Sequence, residues 1–314
     1  MKPTKVVIAL GGNALEEKGK PPTAESQLET VRKTAEYLAE ISCAGYEMAI
    51  VHGNGPQIGR ILLAYDAAKE VTPSMPFDLC CAMSEGAIGY HIQQALSEAL
   101  QRRNRHIPVV TVVTQVLVDP DDPAMQNPTK PIGPFFSQEE ARKLAVEKRW
   151  QMKEDSGRGW RRVVPSPKPQ GILEIGTMRT LWDTTISIAC GGGGVPVMRR
   201  PDGGLQGVAA VIDKDLAAQR LAQDMQADIL MILTEVDRVC LHFGTPQQEE
   251  LTRLTADQAQ AYVEQGHFAP GSMLPKVEAA IAFARSGPSR KAIITSLYRG
   301  CEALAGNAGT VICG

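Results

Sequence analysis

The 314-residue chain carries almost no net charge: 33 Lys and Arg against 35 Asp and Glu leave −2 at neutral pH. That balance gives no electrostatic footing for general nucleic-acid binding or for a polybasic membrane contact. No apolar run approaches the roughly 20 residues of a membrane span. The opening stretch from Met1 to Gly12 holds only a short apolar run ending in two glycines. It is too short for a signal-peptide core and reads as a first strand. The seven cysteines (Cys43, Cys80, Cys81, Cys190, Cys240, Cys301 and Cys313) form no Cys-x-x-Cys. An odd number cannot all pair within one chain, which fits reduced thiols in a cytoplasmic protein. His52, His91, His106, His242 and His267 show no metal-ligand spacing, so no zinc site is expected.

Two nucleotide fingerprints are also missing. G-x-x-x-x-G-K-[ST] is absent, which excludes a P-loop nucleotidase. Gly53, Gly55 and Gly59 are spaced one residue too long for the dinucleotide turn. Gly191–Gly194 leads into Val195-Pro196-Val197, another apparent strand, where a dinucleotide fold needs a helix.

What is present is a strand–helix alternation. Continuous apolar runs at Val6–Leu10, Glu47–Val51, Val109–Val113, Ile186–Cys190, Val208–Ile212, Ile229–Leu233 and Ala292–Thr295 alternate with helical patterns. One such pattern is Leu28, Val31, Ala35 and Leu38; another runs over Ser84–Leu100. Strands that are apolar throughout belong to a sheet covered on both faces, hence a mainly parallel α/β sandwich. Asp119–Gln170, rich in Pro, Lys, Arg and acids, breaks the rhythm. A structureless loop of that length is improbable inside a compact domain, so a small inserted subdomain is expected. Its Ser137 and Glu140 form a capping-box pattern ahead of a helix.

Three glycine clusters each follow a strand: Gly11-Gly12-Asn13, Gly53-Asn54-Gly55 and Gly191–Gly194. In an open α/β sheet such turns share the edge where ligands bind. Glycine lets backbone N–H groups approach an anion closely, and Asn13 and Asn54 add amide donors. Without a P-loop, phosphate charge must be met by side chains. Lys214 stands between Asp213 and Asp215 behind the Val208–Ile212 run, a triplet suited to holding Mg²⁺ and polyphosphate together. Lys130 is framed by prolines in Pro128-Thr-Lys-Pro131. Lys276 falls in the first turn of a helix, where it opposes the helix dipole unless an anion sits beside it.

These residues resemble the carbamate kinases of the amino-acid kinase superfamily. The shared segments are Ala9–Leu15, His52-Gly-Asn-Gly-Pro-Gln57, Ile88-Gly-Tyr90, Thr114-Gln-Val116 and Asn127-Pro-Thr-Lys-Pro-Ile-Gly133. They continue through Glu154–Pro169, Gly191–Val197, Ala210–Ala217, Ile232-Leu-Thr234, Gly271-Ser-Met-Leu-Pro-Lys276 and Gly309–Ile312. The resemblance implies a three-layer αβα sandwich around a mainly parallel eight-stranded sheet. Residues 1–200 would form a lobe for carbamate or carbamoyl phosphate, carrying a protruding subdomain at about 119–165. Residues 201–314 would form the ATP/ADP lobe, with Mg²⁺ arriving with the nucleotide. It further implies a cytoplasmic homodimer with small-molecule substrates, forming ATP in arginine, nitrogen or purine catabolism. By motif, Lys130, Lys214 and Lys276 match the phosphate-contacting lysines, with Asp213 and Asp215 beside them. Gly11, Gly12, Asn13, Gly53, Asn54 and Gly55 match the acyl-phosphate loops, and Thr234 and Met273 border the nucleotide. Three positions depart from the pattern: Glu85 where Gln is expected, Val51 where Thr is common, and Leu274 where Gly is frequent. Glu85 is expected to add a negative charge near an anion site. Leu274 suggests a divergent, carbamate-kinase-like subgroup. Two other readings remain open: a kinase of the same fold for another small acid or a nucleotide, and a non-catalytic anion or nucleotide sensor.

Overall fold

A computed structural model describes residues 3–155 and 157–314. The first third runs β1 (Lys5–Leu10), α1 (Ala24–Cys43), β2 (Glu47–His52), α2 (Gly55–Ala67), α3 (Phe77–Arg102) and β3 (Val109–Thr111). The middle holds β4 (Gln115–Val118), β5 (Lys130–Phe136), α4 (Gln138–Glu147), β6 (Met152–Glu154) and β7 (Trp160–Val164). There follow β8 (Pro169–Ile172), α5 (Ile175–Leu181), β9 (Ile186–Ile188), β10 (Val195–Arg199) and β11 (Leu205–Gly207). The last third runs α6 (Lys214–Asp224), β12 (Ile229–Thr234), β13 (Val239–Leu241), β14 (Glu249–Leu251), β15 (Arg253–Thr255) and α7 (Ala256–Glu264). It closes with α8 (Met273–Arg285), β16 (Lys291–Ser296), α9 (Gly300–Leu304) and β17 (Thr310–Cys313).

The central sheet has eight strands in the order β15-β17-β16-β12-β1-β2-β9-β3. Every neighbouring pair is parallel except β16 with β17. Alternate residues of β1 show why the strands are apolar throughout. Val6, Ile8 and Leu10 join Val31, Ala35 and Leu38 of α1 and Ile88, Ile92 and Leu96 of α3 in one core. Val7 and Ala9 face the other way, into a core with Ala217, Ala218 and Leu221 of α6 and Ala280 and Phe283 of α8. With one side chain to each face and a helix layer over both, neither face can be polar. Each fully buried Val, Ile or Leu contributes about 1.5–3 kcal/mol.

Within the irregular middle segment, β5-β7-β6 form a small separate sheet with α4 beside it. Helix α4 opens on the anticipated capping box: Ser137 Oγ accepts from Glu140 N–H, and the Glu140 carboxylate accepts from Ser137 N–H at 2.8 Å. The subdomain docks on α2 at an unusually close approach of Gly59 and Gly133; a Cβ on Gly59 would overlap the Gly133 backbone. A glycine is required there for the two backbones to meet.

One expected strand is not a strand. Val208–Ile212 lies outside every sheet: β11 ends at Gly207, the chain bends at Ala209 with Ala210 N–H donating to Val208 O at 2.9 Å, and Val211 N–H donates to Pro165 O at 3.0 Å. Its apolar run reflects burial of Val208, Ala210, Val211 and Ile212, with Ala209 exposed, which composition alone cannot tell from strand pairing. Two other strands are shorter than expected. The Ile186–Cys190 run stops pairing at Ile188, and Cys190 turns into the left-handed region at φ 51°. The Val109–Val113 run stops pairing at Thr111.

Candidate active site

The three glycine clusters meet at one edge. They follow β1, β2 and β9, which are adjacent and parallel, so all three turns emerge at the carboxyl side of the sheet. Asn13 Nδ2 donates to Thr234 O at 3.3 Å, tying the first turn to the end of β12. Asn54 Nδ2 donates to Ser84 Oγ at 2.8 Å, tying the second turn to α3. Gly192 has φ 68°, and a Cβ there would overlap the Asn54 amide. The second and third turns are therefore packed against one another, and the first is anchored to the end of β12.

The charged triplet sits opposite them. Asp213 caps α6: its Oδ1 accepts from Asp215 N–H at 2.8 Å, which satisfies one of the unpaired donors of the first turn. Capping turns Lys214 and Asp215 into the first two residues of the helix. Lys214 Nζ donates to Asp215 Oδ1 at 2.5 Å, and Lys276 Nζ donates to Asp215 Oδ2 at 2.9 Å. Lys130 Nζ reaches Asp213 Oδ2 at 2.5 Å from the start of β5. Segments 83 and 61 residues away in sequence thus converge on two adjacent aspartates. A Cβ on Gly53 would stand 3.4 Å from Lys214 Cδ, so the Lys214 stem runs beside the second glycine turn.

Burial and charge compete at each of these groups. Burial pushes the Asp215 carboxyl up, yet the Lys214 and Lys276 ammoniums outweigh it and hold the group well below the usual carboxylate range. Burial likewise raises Asp213, and Lys130 reverses it. Burial pushes the Lys214 amine below its ordinary value, with Lys276 adding repulsion, and Asp215 recovers only part of the loss. Lys276 is also buried, but Asp215 dominates and raises it. The Lys276 position, adverse to its own helix dipole, is therefore compensated by Asp215 at the head of the neighbouring helix. Three ammoniums against two carboxylates leave the cluster with one net positive charge.

The small subdomain delivers Lys130. Lys130 pairs with Val164 across β5 and β7, and Thr129 N–H donates to Val164 O at 3.2 Å. Arg161 of β7, which the sequence reading did not single out, donates from Nε to Gly133 O at 3.0 Å. Its Nη2 is buried without a partner and lies 3.9 Å from where a Gly55 Cβ would be. Only its place in the Gly-Arg-Gly-Trp-Arg-Arg run hinted at it. Thr234 ends β12, and Met273 opens α8 three residues before Lys276; both are half-buried. The three departures are structurally quiet: Val51 is fully buried in the core, Leu274 packs against it, and Glu85 is 1% exposed.

Glu85, expected to add a negative charge near the anion site, is buried and held by backbone donors. Its Oε1 accepts from Gly191 N–H at 2.8 Å and its Oε2 from Thr114 N–H at 3.2 Å. Burial pushes its carboxyl up to about 8, against the pull of those backbone donors, so it is neutral at physiological pH. His52 beside it is fully buried, shares a 2.9 Å hydrogen bond between Nδ1 and Gly53 O, and is pushed by burial down to about 4. It is a neutral prop of the loop.

Among the described residues no group of three or more His, Cys, Asp or Glu is arranged to hold a metal. Asp213 and Asp215 are oxygen donors of the kind Mg²⁺ takes, one or two carboxylates with phosphate oxygens and water completing its shell, and all four of their oxygens accept hydrogen bonds here.

A family model described as the amino acid kinase family matches residues 4–296. The chain belongs to the amino acid kinase family. Within that family it is 52% identical to the carbamate kinase of Pyrococcus horikoshii, covering 99% of both chains. It is 47% identical to the carbamate kinase-like protein YqeA of Escherichia coli, over 98% of this chain and 99% of that one. Among solved structures, the carbamate kinase from Giardia lamblia bound to AMP-PNP superposes with a TM-score of 0.91 at 43% identity, covering 99% of this chain and 98% of the other. The kinase fold expected from the sequence, with its mainly parallel eight-stranded sheet, is the fold observed.

Proposed function

We propose that the chain is a carbamate kinase, transferring a phosphoryl group reversibly between ATP and carbamate, with ADP and carbamoyl phosphate on the other side. The observation that carries this reading is the convergence of Lys130, Lys214 and Lys276 on Asp213 and Asp215, with the Lys214 stem beside the Gly53 turn. The 52% identity to a full-length carbamate kinase supports the choice of acceptor.

The attacking oxygen of carbamate is already anionic, so the reaction needs no general base. His52 fits that expectation, being buried, neutral and turned to its own loop. The carbamate oxygen forms a bond to the γ-phosphorus, and the bond from that phosphorus to the bridging oxygen breaks, its electrons leaving with ADP. What the protein supplies is position and positive charge. Lys130 serves the acyl-phosphate side. Lys214 and Lys276 serve the migrating phosphoryl group and the nucleotide phosphates, exchanging Asp215 for phosphate oxygens. Asp213 and Asp215 park the amines between turnovers, and either can contribute an oxygen to Mg²⁺. That ion, when bound, screens the charge of the phosphates.

Gly11, Gly12, Asn13, Gly53, Asn54 and Gly55 would line the carbamoyl-phosphate side, within a lobe of residues 1–200. Thr234 and Met273 would border the nucleotide in the lobe 201–314. A homodimer is supported by Leu79, Met83 and Tyr90, exposed by 41–59% at spacings of four and seven along one face of α3. Seven unpaired cysteines support a cytoplasmic setting, where ATP formation in arginine, nitrogen or purine catabolism is the proposed role.

The test is ATP formation from ADP and carbamoyl phosphate with Mg²⁺ in a luciferase-coupled assay. Rapid ATP production supports the proposal. Phosphorylation of N-acetylglutamate or UMP in its place assigns a different acceptor, and ADP binding without any transfer makes the protein a sensor.

A further inference from the structure

Glu85 is a buried acid that the phosphoryl-transfer chemistry does not use, and its surroundings are specific. It lies mid-helix on α3, next to Ser84, whose hydroxyl receives the Asn54 amide. Its two carboxyl oxygens accept backbone N–H groups from two different segments, Gly191 at the head of the tetraglycine turn and Thr114 after β3. Thr114 Oγ1 in turn accepts from Cys190 N–H at 3.0 Å. A Cβ on Gly191 would overlap His52 and crowd the Glu85 stem at 2.8 Å, so helix, histidine and turn are in direct contact. The next glycines complete the link: Gly192 packs on Asn54, and Gly193 packs on Ile212 O, one residue before Asp213.

We infer that Glu85 is a positioning residue for the anion loops: its carboxyl clamps the Gly191 turn and Thr114 from below, and its charge state sets how strongly the loops hold a phosphorylated anion. Protonated, it clamps without charge. Ionised, it places a negative charge under a site that must bind negative substrates. The inference rests on the carbamate-kinase reading for its substrate.

The groups facing Glu85 are His52 at the end of β2, Cys81 on its own helix, Cys190 after β9 and Glu174 at the head of α5. His52 is held down to about 4 and the two thiols are pushed up by burial. Of His52, Cys81, Cys190 and Glu85, only Glu85, raised to about 8 by burial, and with Glu174 adding repulsion, is placed to change charge between pH 7 and 9. Lys214, whose amine is depressed by burial, also contributes to any alkaline fall in activity. That contribution is common to wild type and a Glu85 variant, so the difference between them isolates Glu85.

The experiment measures KM for carbamoyl phosphate from pH 6.5 to 9.5 in wild type and Glu85→Gln, with kcat followed separately. Gln keeps an oxygen for Gly191 and cannot ionise. The expected result is a wild-type KM that rises about tenfold between pH 7 and 9, a rise of at most about twofold in the variant, and a kcat profile of the same shape in both. Matching KM profiles would overturn the inference while leaving the kinase reading intact. Absence of transfer by wild type at any pH would instead defeat the kinase reading. A second readout needs no turnover. An acid raised by folding favours the native state below its unfolded pKa, and that advantage is lost as pH rises through about 8. Wild type should therefore lose thermal stability relative to Glu85→Gln between pH 5 and 8.5; a pH-independent gap would overturn the inference on its own.

Discussion

Asp215 and Glu85 are both acids with almost no exposure, 2% and 1%, yet folding drives their protons in opposite directions. Burial opposes ionisation of both. Asp215 faces two ammoniums, and their attraction exceeds the desolvation cost; Glu85 faces two neutral backbone N–H groups, and theirs does not. The helix position differs too. Asp215 is in the first turn of α6, where the dipole favours negative charge, whereas Glu85 lies in the middle of α3. The lesson is that depth does not set the charge of a buried acid; its partners do. On the proposed reading, one acid gathers cations for phosphate, and the other, raised by burial, holds loops without repelling the ligand.

The largest effect should come from removing a cation at the first centre. Lys214→Met is expected to lower kcat/KM by about 10³-fold or more while circular dichroism stays native, measured by ATP formation from ADP and carbamoyl phosphate. A loss of less than tenfold would end the equivalence drawn between the Asp215 cluster and the phosphoryl site. Next is Asp215→Asn, which leaves two buried ammoniums without their shared counter-charge. It should cost about 3–5 kcal/mol, read from urea denaturation at pH 7, whereas Glu85→Gln, which removes an acid that folding raises to about 8, should not destabilise the protein at that pH. Equal costs would remove the contrast between the two acids. At the second centre, Gly192→Ala forces a side chain into the Asn54 amide at a left-handed backbone position. It should destabilise by about 2–3 kcal/mol and raise KM for carbamoyl phosphate more than KM for ADP.

The finest test concerns His52, which burial holds down to about 4. The unfolded chain takes up this proton below its ordinary value of 6.5 and the native state does not, so stability falls as pH drops from 6.5 toward 4. His52→Gln should remove that part of the slope. Asp215, whose contribution is lost only below the ordinary carboxylate value of 3.8, lies outside the window. An unchanged slope would show that His52 is not the buried neutral prop described above.

Much of this arrangement could be read from the chain before the structure. Apolar runs punctuated by glycine identified β1, β2 and β9 and placed their turns on one edge, because parallel strands leave no other choice. The Asp213-Lys214-Asp215 triplet was equally visible, although its apolar lead-in proved to be a largely buried, bent segment and not a strand. The capping role of Asp213 explains why the triplet is presented so sharply. What was not legible depended on contacts between distant segments. Glu85 looked like an added negative charge near the anion site because its two N–H partners lie 29 and 106 residues away. Arg161 was one arginine in a basic run until β7 turned it beneath Gly55.

The central claim is that amines from separate segments act on one migrating phosphoryl group. It is tested most directly by a double-mutant cycle on kcat/KM with Lys130→Met, Lys214→Met and the pair. Groups working on the same transition state lose less together than the sum of their separate losses, so the pair should fall short of additivity by at least about 1 kcal/mol. Strict additivity, or near-normal turnover in either single variant, would contradict the account.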